Sequence, residues 1–190
     1  MKEQKRPGLG SIGLIDMGHA ADTVLRVLAA NIQTIFDVEA DILSPMPVPD
    51  EAFEHRRGQY DAGLILNHLS RLCLPRHRRI VAITDVDLCS PVLTYVFGQA
   101  QLGGRFAILS DFRLRNTADT TCAPSALYYE RIVKVALHEI GHTFSLYHCE
   151  APGCLMRMSP ETRDLDELAV YLCNRCSFAL RKNMKEVGDK

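Results

Sequence analysis

Residues 138–148 read HEIGHTFSLYH, and this stretch decides what the chain folds into. His138 and His142 are four residues apart, so on a helix they lie on one face, roughly 40° apart around the axis. Both can therefore ligate one metal ion, and Glu139 lies close enough to hold a metal-bound water. His148 can reach the same ion only if the helix stops and the chain turns. Three imidazoles and one open position are typical of a catalytic zinc site.

A set of four cysteines follows directly. It comprises Cys149, Cys154, Cys173 and Cys176, with the spacing C-x4-C, then eighteen residues, then C-x2-C. This spacing is typical of a closed tetrahedral zinc site with four thiolate ligands. Met156 lies between the two pairs, and a methionine turn beneath a three-histidine zinc is a second mark of the metzincins. We therefore expect two zinc ions per chain, one catalytic and one structural.

Taken together, these residues resemble the signature of the archaemetzincins, a family of zinc metallopeptidase-like proteins. The three histidines, Glu139, the four cysteines and Met156 match it, over residues 138–176, about a fifth of the chain. The segment 96–104, VFGQAQLGG, is also similar to the family's strand before the active helix. The resemblance implies a metzincin-like metallopeptidase fold, with its catalytic zinc on the histidines and its structural zinc on the cysteines.

One position departs from the family's pattern. Metzincins usually carry glycine where this chain has Ser145. That glycine ends the helix with a positive φ and directs the third histidine back toward the metal. A non-glycine residue in this conformation costs about 1 kcal/mol or more. The sequence leaves open whether Ser145 absorbs this cost or the turn differs locally, and the expectation for His148 depends on the answer.

Composition limits the class of protein. The chain has 190 residues, 47% hydrophobic and 24% charged, a balance typical of one compact domain with a sizeable core. The net charge of −1 argues against nucleic acid as a partner. No apolar stretch approaches the roughly 20 residues of a membrane span, and residues 1–7 lack an apolar signal core. We expect a cytoplasmic monomer with a single domain over 1–190 and flexible ends at 1–8 and 183–190.

The hydrophobic pattern predicts an α/β fold. Helices are predicted over 19–33 and 59–73, and strands over 11–15, 35–43, 79–84, 94–100 and 105–110. The last two strands are joined by a turn with two glycines, which is typical of an antiparallel hairpin. The element order predicts a mixed, twisted sheet of about five strands, parallel except for one antiparallel edge strand. The resemblance implies that 94–100 is this edge strand, above the cleft, where it could pair with an extended peptide.

Two more helices complete the prediction. A long active helix is expected over about 124–145, with an apolar stripe on one face and the first two motif histidines on another. A final helix is expected over about 164–182, and it would carry Cys173 and Cys176. The other candidate residues are interpreted as surface, turn or inert positions: His19, His55, His77, Asp85, Asp87, Cys73, Cys89 and Cys122.

These features predict a zinc metallopeptidase that hydrolyses a peptide or protein substrate through a zinc-bound water, with Glu139 as general base. The choice between endopeptidase and aminopeptidase stays open, because the sequence does not show whether the cleft offers an anionic group to a free amine. An alternative is a two-zinc binding or scaffold protein with a weak or silent peptidase site, which Ser145 would allow. A nucleic-acid-binding zinc module is disfavoured by the near-neutral charge.

Overall fold

The computed structural model describes residues 11–18, 20, 22–72, 77–116 and 121–188. Its strands are β1 (Ser11–Asp16), β2 (Ala40–Ile42), β3 (Phe53–Glu54), β4 (Gln59–Asp61), β5 (His77–Thr84), β6 (Leu88–Cys89), β7 (Gly98–Ala100) and β8 (Phe106–Ser110). Its helices are α1 (Asp22–Phe36), α2 (Ala62–Leu69), α3 (Ser125–Thr143), α4 (Thr162–Asp166) and α5 (Asn174–Gly188).

Five strands form the main sheet, in the order β2-β1-β5-β8-β7. Neighbouring strands run parallel, except that β7 is antiparallel to β8 at the edge. The predicted mixed sheet of five strands with one antiparallel edge strand is confirmed. The hairpin turn contains Gly103 with a φ of 66°, a conformation that glycine adopts without steric cost.

The central strands are buried on both faces, because helices cover both sides of the sheet. Along β5, Val81 and Ile83 belong to the core that packs with α1 and α3. Ile80 and Ala82 belong to the opposite core, which packs with α2. This alternation is the two-residue period of a strand. Since both faces are apolar, the strand is a continuous hydrophobic run, which is why the sequence predicts it well.

The second helix begins later than predicted. Residues 59–61 form β4, and α2 follows directly, with the side chain of Asp61 accepting a hydrogen bond from the Leu64 N–H. β4 pairs with β3 and β6 in a small second sheet that the sequence did not predict. Its strands are two or three residues long, too short for hydrophobic periodicity to reveal them.

The boundary between α1 and β2 also differs from the prediction. The helix expected over 19–33 runs from Asp22 to Phe36, and the strand expected over 35–43 is only Ala40–Ile42. Phe36 is buried on the same helix face as Ile32, so the helical period continues past the predicted end.

The prediction of one final helix over 164–182 is wrong. The chain forms α4, an irregular segment and then α5, which extends to Gly188. In the irregular segment, the Tyr171 carbonyl accepts a hydrogen bond from the Leu155 N–H at 2.9 Å. The Cys173 N–H points to the Cys154 Sγ at 3.4 Å. In a continuous helix these backbone groups would bond within the helix and could not make these contacts. Cys173 instead precedes α5, and Cys176 lies in its first turn.

Some predictions concern residues that the structure leaves undescribed. His19, Cys73 and residues 1–8 lie outside the described residues. Among the helices of the described part, none is both long and apolar enough to span a bilayer.

Candidate active site and metal centres

The first two motif histidines lie near the C-terminal end of α3, with their rings turned toward each other. The Nδ1 of His138 lies 2.8 Å from the Leu155 carbonyl, and the Nδ1 of His142 lies 2.7 Å from the Leu146 carbonyl. Since a carbonyl only accepts, each Nδ1 carries the proton and each Nε2 presents a lone pair. The two Nε2 atoms are 3.0 Å apart. Two converging lone pairs repel each other unless a cation lies between them, so the donor set fits a metal ion.

The third histidine completes this group. The His148 ring centroid lies 5.3 Å from that of His138 and 4.9 Å from that of His142. One nitrogen of each ring can be chosen so that all three lie within 4.8 Å of one another. Zinc binds imidazole nitrogens at about 2.0–2.1 Å, which this spacing allows. His148 is solvent-exposed, so an ion held here would face the cleft.

Burial favours the neutral form of the first two imidazoles. It lowers the pKa of His138 to about 3, and it also lowers the pKa of His142. A histidine must be neutral to ligate a metal. His138 and His142 therefore need no deprotonation at neutral pH in order to ligate a metal.

Ser145 keeps the turn that the motif requires. Its φ is 62°. The Leu146 N–H bonds to the Gly141 carbonyl at 3.0 Å, and the Ser145 N–H bonds to the His142 carbonyl at 2.9 Å. These two bonds define a helix end of the Schellman type, with a left-handed residue just after the helix. The serine thus occupies the conformation usually reserved for glycine, and the chain turns His148 toward the other histidines.

Residues from three distant segments bind the last carbonyls of α3. The Gly103 N–H bonds to the His142 carbonyl at 2.9 Å. Arg79 Nε donates to the Thr143 carbonyl at 3.1 Å, and Asn183 Nδ2 donates to the Phe144 carbonyl at 2.8 Å. A cation at the C-terminal end of a helix is also favoured by the helix dipole.

His77, which the sequence placed at the surface, lies in a strand together with Arg79. His77 begins β5 and pairs with Asp41 at 2.9 Å, and Arg79 is buried. The Arg79 guanidinium lies 4.6 Å from the centre of the Phe144 ring. Sequence reasoning missed this role because the partners of Arg79 lie far along the chain. An arginine inside an otherwise apolar strand was the available signal.

Glu139 is buried on α3 beside the edge strand. Its side chain is directed at Gly98 in β7, where an added Cβ atom would lie 2.7 Å from the Glu139 Cγ. Burial raises the pKa of Glu139 to about 8. A carboxyl group that titrates near neutrality can both accept and return a proton. Gly98 is a further site residue that the motif did not reveal.

Met156 lies beneath the helix that carries the motif. It is fully buried, and an added Cβ at Gly141 would lie 2.6 Å from its Sδ. Its carbonyl accepts a hydrogen bond from the Cys149 N–H at 2.8 Å. The methionine therefore fills the space that Gly141 leaves, and its backbone binds the segment that follows His148.

The four cysteines form a second group of possible ligands. Their Sγ atoms all lie within 4.8 Å of one another, and the Sγ atoms of Cys149 and Cys173 are 3.8 Å apart. All four are free thiols, and three of them are buried. This arrangement fits a closed tetrahedral zinc site. Across the described residues, the histidine group and this cysteine group are the two that converge closely enough to hold a metal ion.

His138, His148 and Glu139 line a cleft of about 320 Å³. The rest of the lining comes from the segment 93–98, from α3 and from residues between Leu155 and Leu168. Asp85 and Asp87, which the sequence placed at a turn, do not reach the cleft lining. Asp87 instead pairs with Arg113 through both carboxylate oxygens, each at 2.7 Å.

Comparisons with known proteins agree over nearly the whole chain. A model of peptidase family M54 matches residues 26–182. The archaemetzincin of Haloquadratum walsbyi is 32% identical over 172 residues, which cover 89% of this chain and 98% of that protein. The crystal structure of archaemetzincin from Methanopyrus kandleri aligns with a TM-score of 0.83 at 29% identity, covering 93% of this chain and 96% of that one. A zinc-dependent peptidase from Methanocorpusculum labreanum aligns with a TM-score of 0.80 at 28% identity, covering 89% and 99%.

Proposed function

The chain belongs to peptidase family M54, the archaemetzincins, and we propose that it hydrolyses peptide bonds at the three-histidine site with Glu139 as general base. It is a zinc-dependent peptidase. The observation that carries the proposal is the convergence of the His138 and His142 Nε2 atoms, 3.0 Å apart, on the helix that also carries the buried Glu139.

In this proposal His138, His142 and His148 hold the catalytic zinc. When bound, zinc supplies a Lewis acid that polarises a carbonyl and makes a neighbouring water more acidic. Glu139 takes a proton from the attacking water and later delivers it to the leaving amine. The backbone of β7, at the edge of the sheet, can pair with an extended substrate through main-chain hydrogen bonds.

We further propose that the four cysteines hold a second, structural zinc. Cys149 follows His148 directly, while Cys173 immediately precedes α5 and Cys176 lies in its first turn. An ion on these thiolates would tie the segment after α3 to the last helix. It would thereby hold both His148 and Met156 in place.

The test is the substitution Glu139→Gln in the zinc-loaded protein. We expect peptide hydrolysis to fall by about a hundredfold or more, with the zinc content by elemental analysis unchanged. Turnover equal to that of the wild type would refute the role of Glu139. Peptides with free and with acetylated N-termini in the same assay distinguish an aminopeptidase from an endopeptidase.

The alternative of a silent zinc scaffold depends on Ser145 disturbing the turn. Ser145 does not favour this alternative, because the serine adopts the positive φ that the turn needs. A monomeric state, a cytoplasmic location and the lack of a nucleic-acid partner stay predictions.

A further inference from the structure

The cleft beside Glu139 is apolar away from the metal ligands. Val135 of α3, together with Leu155, Leu165 and Leu168, lines it with buried aliphatic side chains. Such a lining receives an apolar substrate side chain, because a polar one would lose its hydration without replacement.

The two other charged side chains in the lining are already engaged. The Nζ of Lys134 lies 2.7 Å from a carboxylate oxygen of Glu130, and it donates to the Asp166 carbonyl at 3.3 Å. The Glu161 carboxylate pairs with Arg163 at 3.5 Å. Neither side chain competes with the aliphatic ones as the main contact for a substrate side chain.

A hydrogen bond joins two segments of the cleft lining. The Tyr95 hydroxyl donates to the Pro160 carbonyl at 2.8 Å, and both residues line the cleft. Tyr95 precedes Gly98, the residue against Glu139, by three positions, and three residues span at most about 10 Å. Tyr95, Pro160 and Glu139 therefore line the same cleft.

The Tyr95 ring is held on more than one side. The Arg113 guanidinium carbon lies 4.1 Å from the ring centre, and Arg113 is itself fixed by its paired contacts with Asp87. The Phe97 ring packs against Tyr95 in an edge-on arrangement, with the ring centres 5.6 Å apart. Cation–π, aromatic and hydrogen-bond contacts together oppose rotation of the side chain. We therefore expect the Tyr95 side chain to keep one orientation rather than to rotate in and out of the cleft.

We propose that Tyr95 is a specificity-determining residue, which closes the end of the apolar cleft and limits the substrate to a medium-sized apolar side chain, such as leucine or methionine. This inference rests on the proposed peptidase function. Larger side chains, such as tryptophan, would have to displace the Tyr95 ring, which Arg113 and Phe97 contact, in order to fit.

The test uses zinc-loaded enzyme and peptides in which the residues on either side of the scissile bond are varied. We expect the wild type to prefer leucine over tryptophan at one of these positions. Tyr95→Ala should shift the ratio of the two kcat/KM values toward tryptophan by about tenfold. Tyr95→Phe keeps the ring and should keep the preference. Tyr95→Leu serves as the shortened variant if the alanine protein does not fold.

Tyr171 provides the matched control. Its hydroxyl also bonds to a proline carbonyl, that of Pro152 at 3.4 Å, but it lies outside the cleft lining. Tyr171→Phe and Tyr171→Ala should leave the leucine-to-tryptophan ratio unchanged.

Two results would overturn the inference. One is an unchanged ratio in active Tyr95→Ala or Tyr95→Leu enzyme. The other is a Tyr95→Phe enzyme that is faster on all substrates alike. That result would mean that the Tyr95–Pro160 hydrogen bond controls access to the cleft and that Tyr95 does not select by side-chain size.

Binding of the same peptides to the Glu139→Gln protein, measured by calorimetry with and without Tyr95→Ala, gives the preference without turnover. Absence of Glu139-dependent cleavage in the wild type would count against the proposed function. An unshifted binding preference would count against the role of Tyr95.

Discussion

At the scale of single residues, Ser145 illustrates how a motif survives an unfavourable substitution. Its backbone has a φ of 62°, a region that costs a non-glycine residue about 1 kcal/mol. The N–H and carbonyl groups around it are nevertheless bonded as in a glycine-terminated helix. The surrounding contacts impose the turn, so the residue carries strain without displacing His148.

Ser145→Gly should therefore stabilise the protein. We expect the free energy of unfolding to rise by about 1 kcal/mol and the Tm by about 2–4 °C, with the zinc content unchanged. Calorimetry checks this, and Ser145→Ala, which retains a Cβ atom in the same conformation, should show no gain. A lower Tm in the glycine variant would mean that the serine side chain contributes more than its backbone costs.

Gly98 is a second single residue on which the site depends, because it leaves room for the Glu139 side chain. An alanine Cβ there would lie 2.7 Å from the Glu139 Cγ and 2.8 Å from the Ile108 carbonyl oxygen. The Ile108 backbone can shift little, so the Glu139 side chain must move. We expect Gly98→Ala to reduce kcat by about tenfold or more while the zinc content stays the same.

A suitable comparison for Gly98 is Gly63→Ala in α2. There the nearest atom is a carboxylate oxygen of Asp61, at 3.1 Å, which can move aside. That variant should keep its activity. If Gly98→Ala retained full kcat, the close approach of β7 would not position Glu139.

At the scale of elements, the C-terminal end of α3 depends on a residue of β5. Replacing Arg79 by methionine leaves the Thr143 carbonyl without its donor and removes the guanidinium from the Phe144 ring. A lost buried hydrogen bond of this kind costs about 2 kcal/mol. Arg79→Met should lower the free energy of unfolding by that amount in denaturant titrations. It should also weaken zinc retention at the histidines more than at the cysteines.

Arg26 provides the contrast to Arg79. It makes an exposed ion pair with Asp22 at 2.7 Å, with most of both side chains in solvent. Such pairs contribute about 0–1 kcal/mol, so Arg26→Met should change stability little. Equal losses in both variants would show that the contact of Arg79 with α3 has no special importance.

The elements also show what the sequence can and cannot predict. The three histidines, Glu139 and the four cysteines follow from spacing, since ligands of one ion must lie close together in a turn or a knuckle. The roles of Gly98, Arg79 and Tyr95 do not follow from sequence spacing, because the partners of these residues lie on other elements. The predicted final helix failed for the same reason: the backbone around Tyr171 pairs with the chain near Leu155, and local periodicity does not report such pairing.

At the scale of the whole molecule, the two metal groups share one short piece of chain. His148 belongs to the first group and Cys149 to the second. The cysteines lie in the core that also contains α1 and α3, whereas His148 is exposed at the cleft. Occupancy of the cysteine group should therefore affect the histidine group more than the reverse.

Metal removal should consequently proceed in two steps. Because the histidine group is open at the cleft whereas three of the four cysteines are buried, a mild chelator should first remove the ion at the histidines. Activity would then be lost with little change in Tm. A stronger chelator, or Cys173→Ser together with Cys176→Ser, should remove the second ion and lower the Tm markedly, since the segment carrying His148 and Met156 loses its anchor. Elemental analysis and calorimetry on the same samples follow both steps. A double serine variant with an unchanged Tm and two bound ions would contradict the structural role of the cysteines, because the loss of thiolate ligands must then have no consequence for the fold.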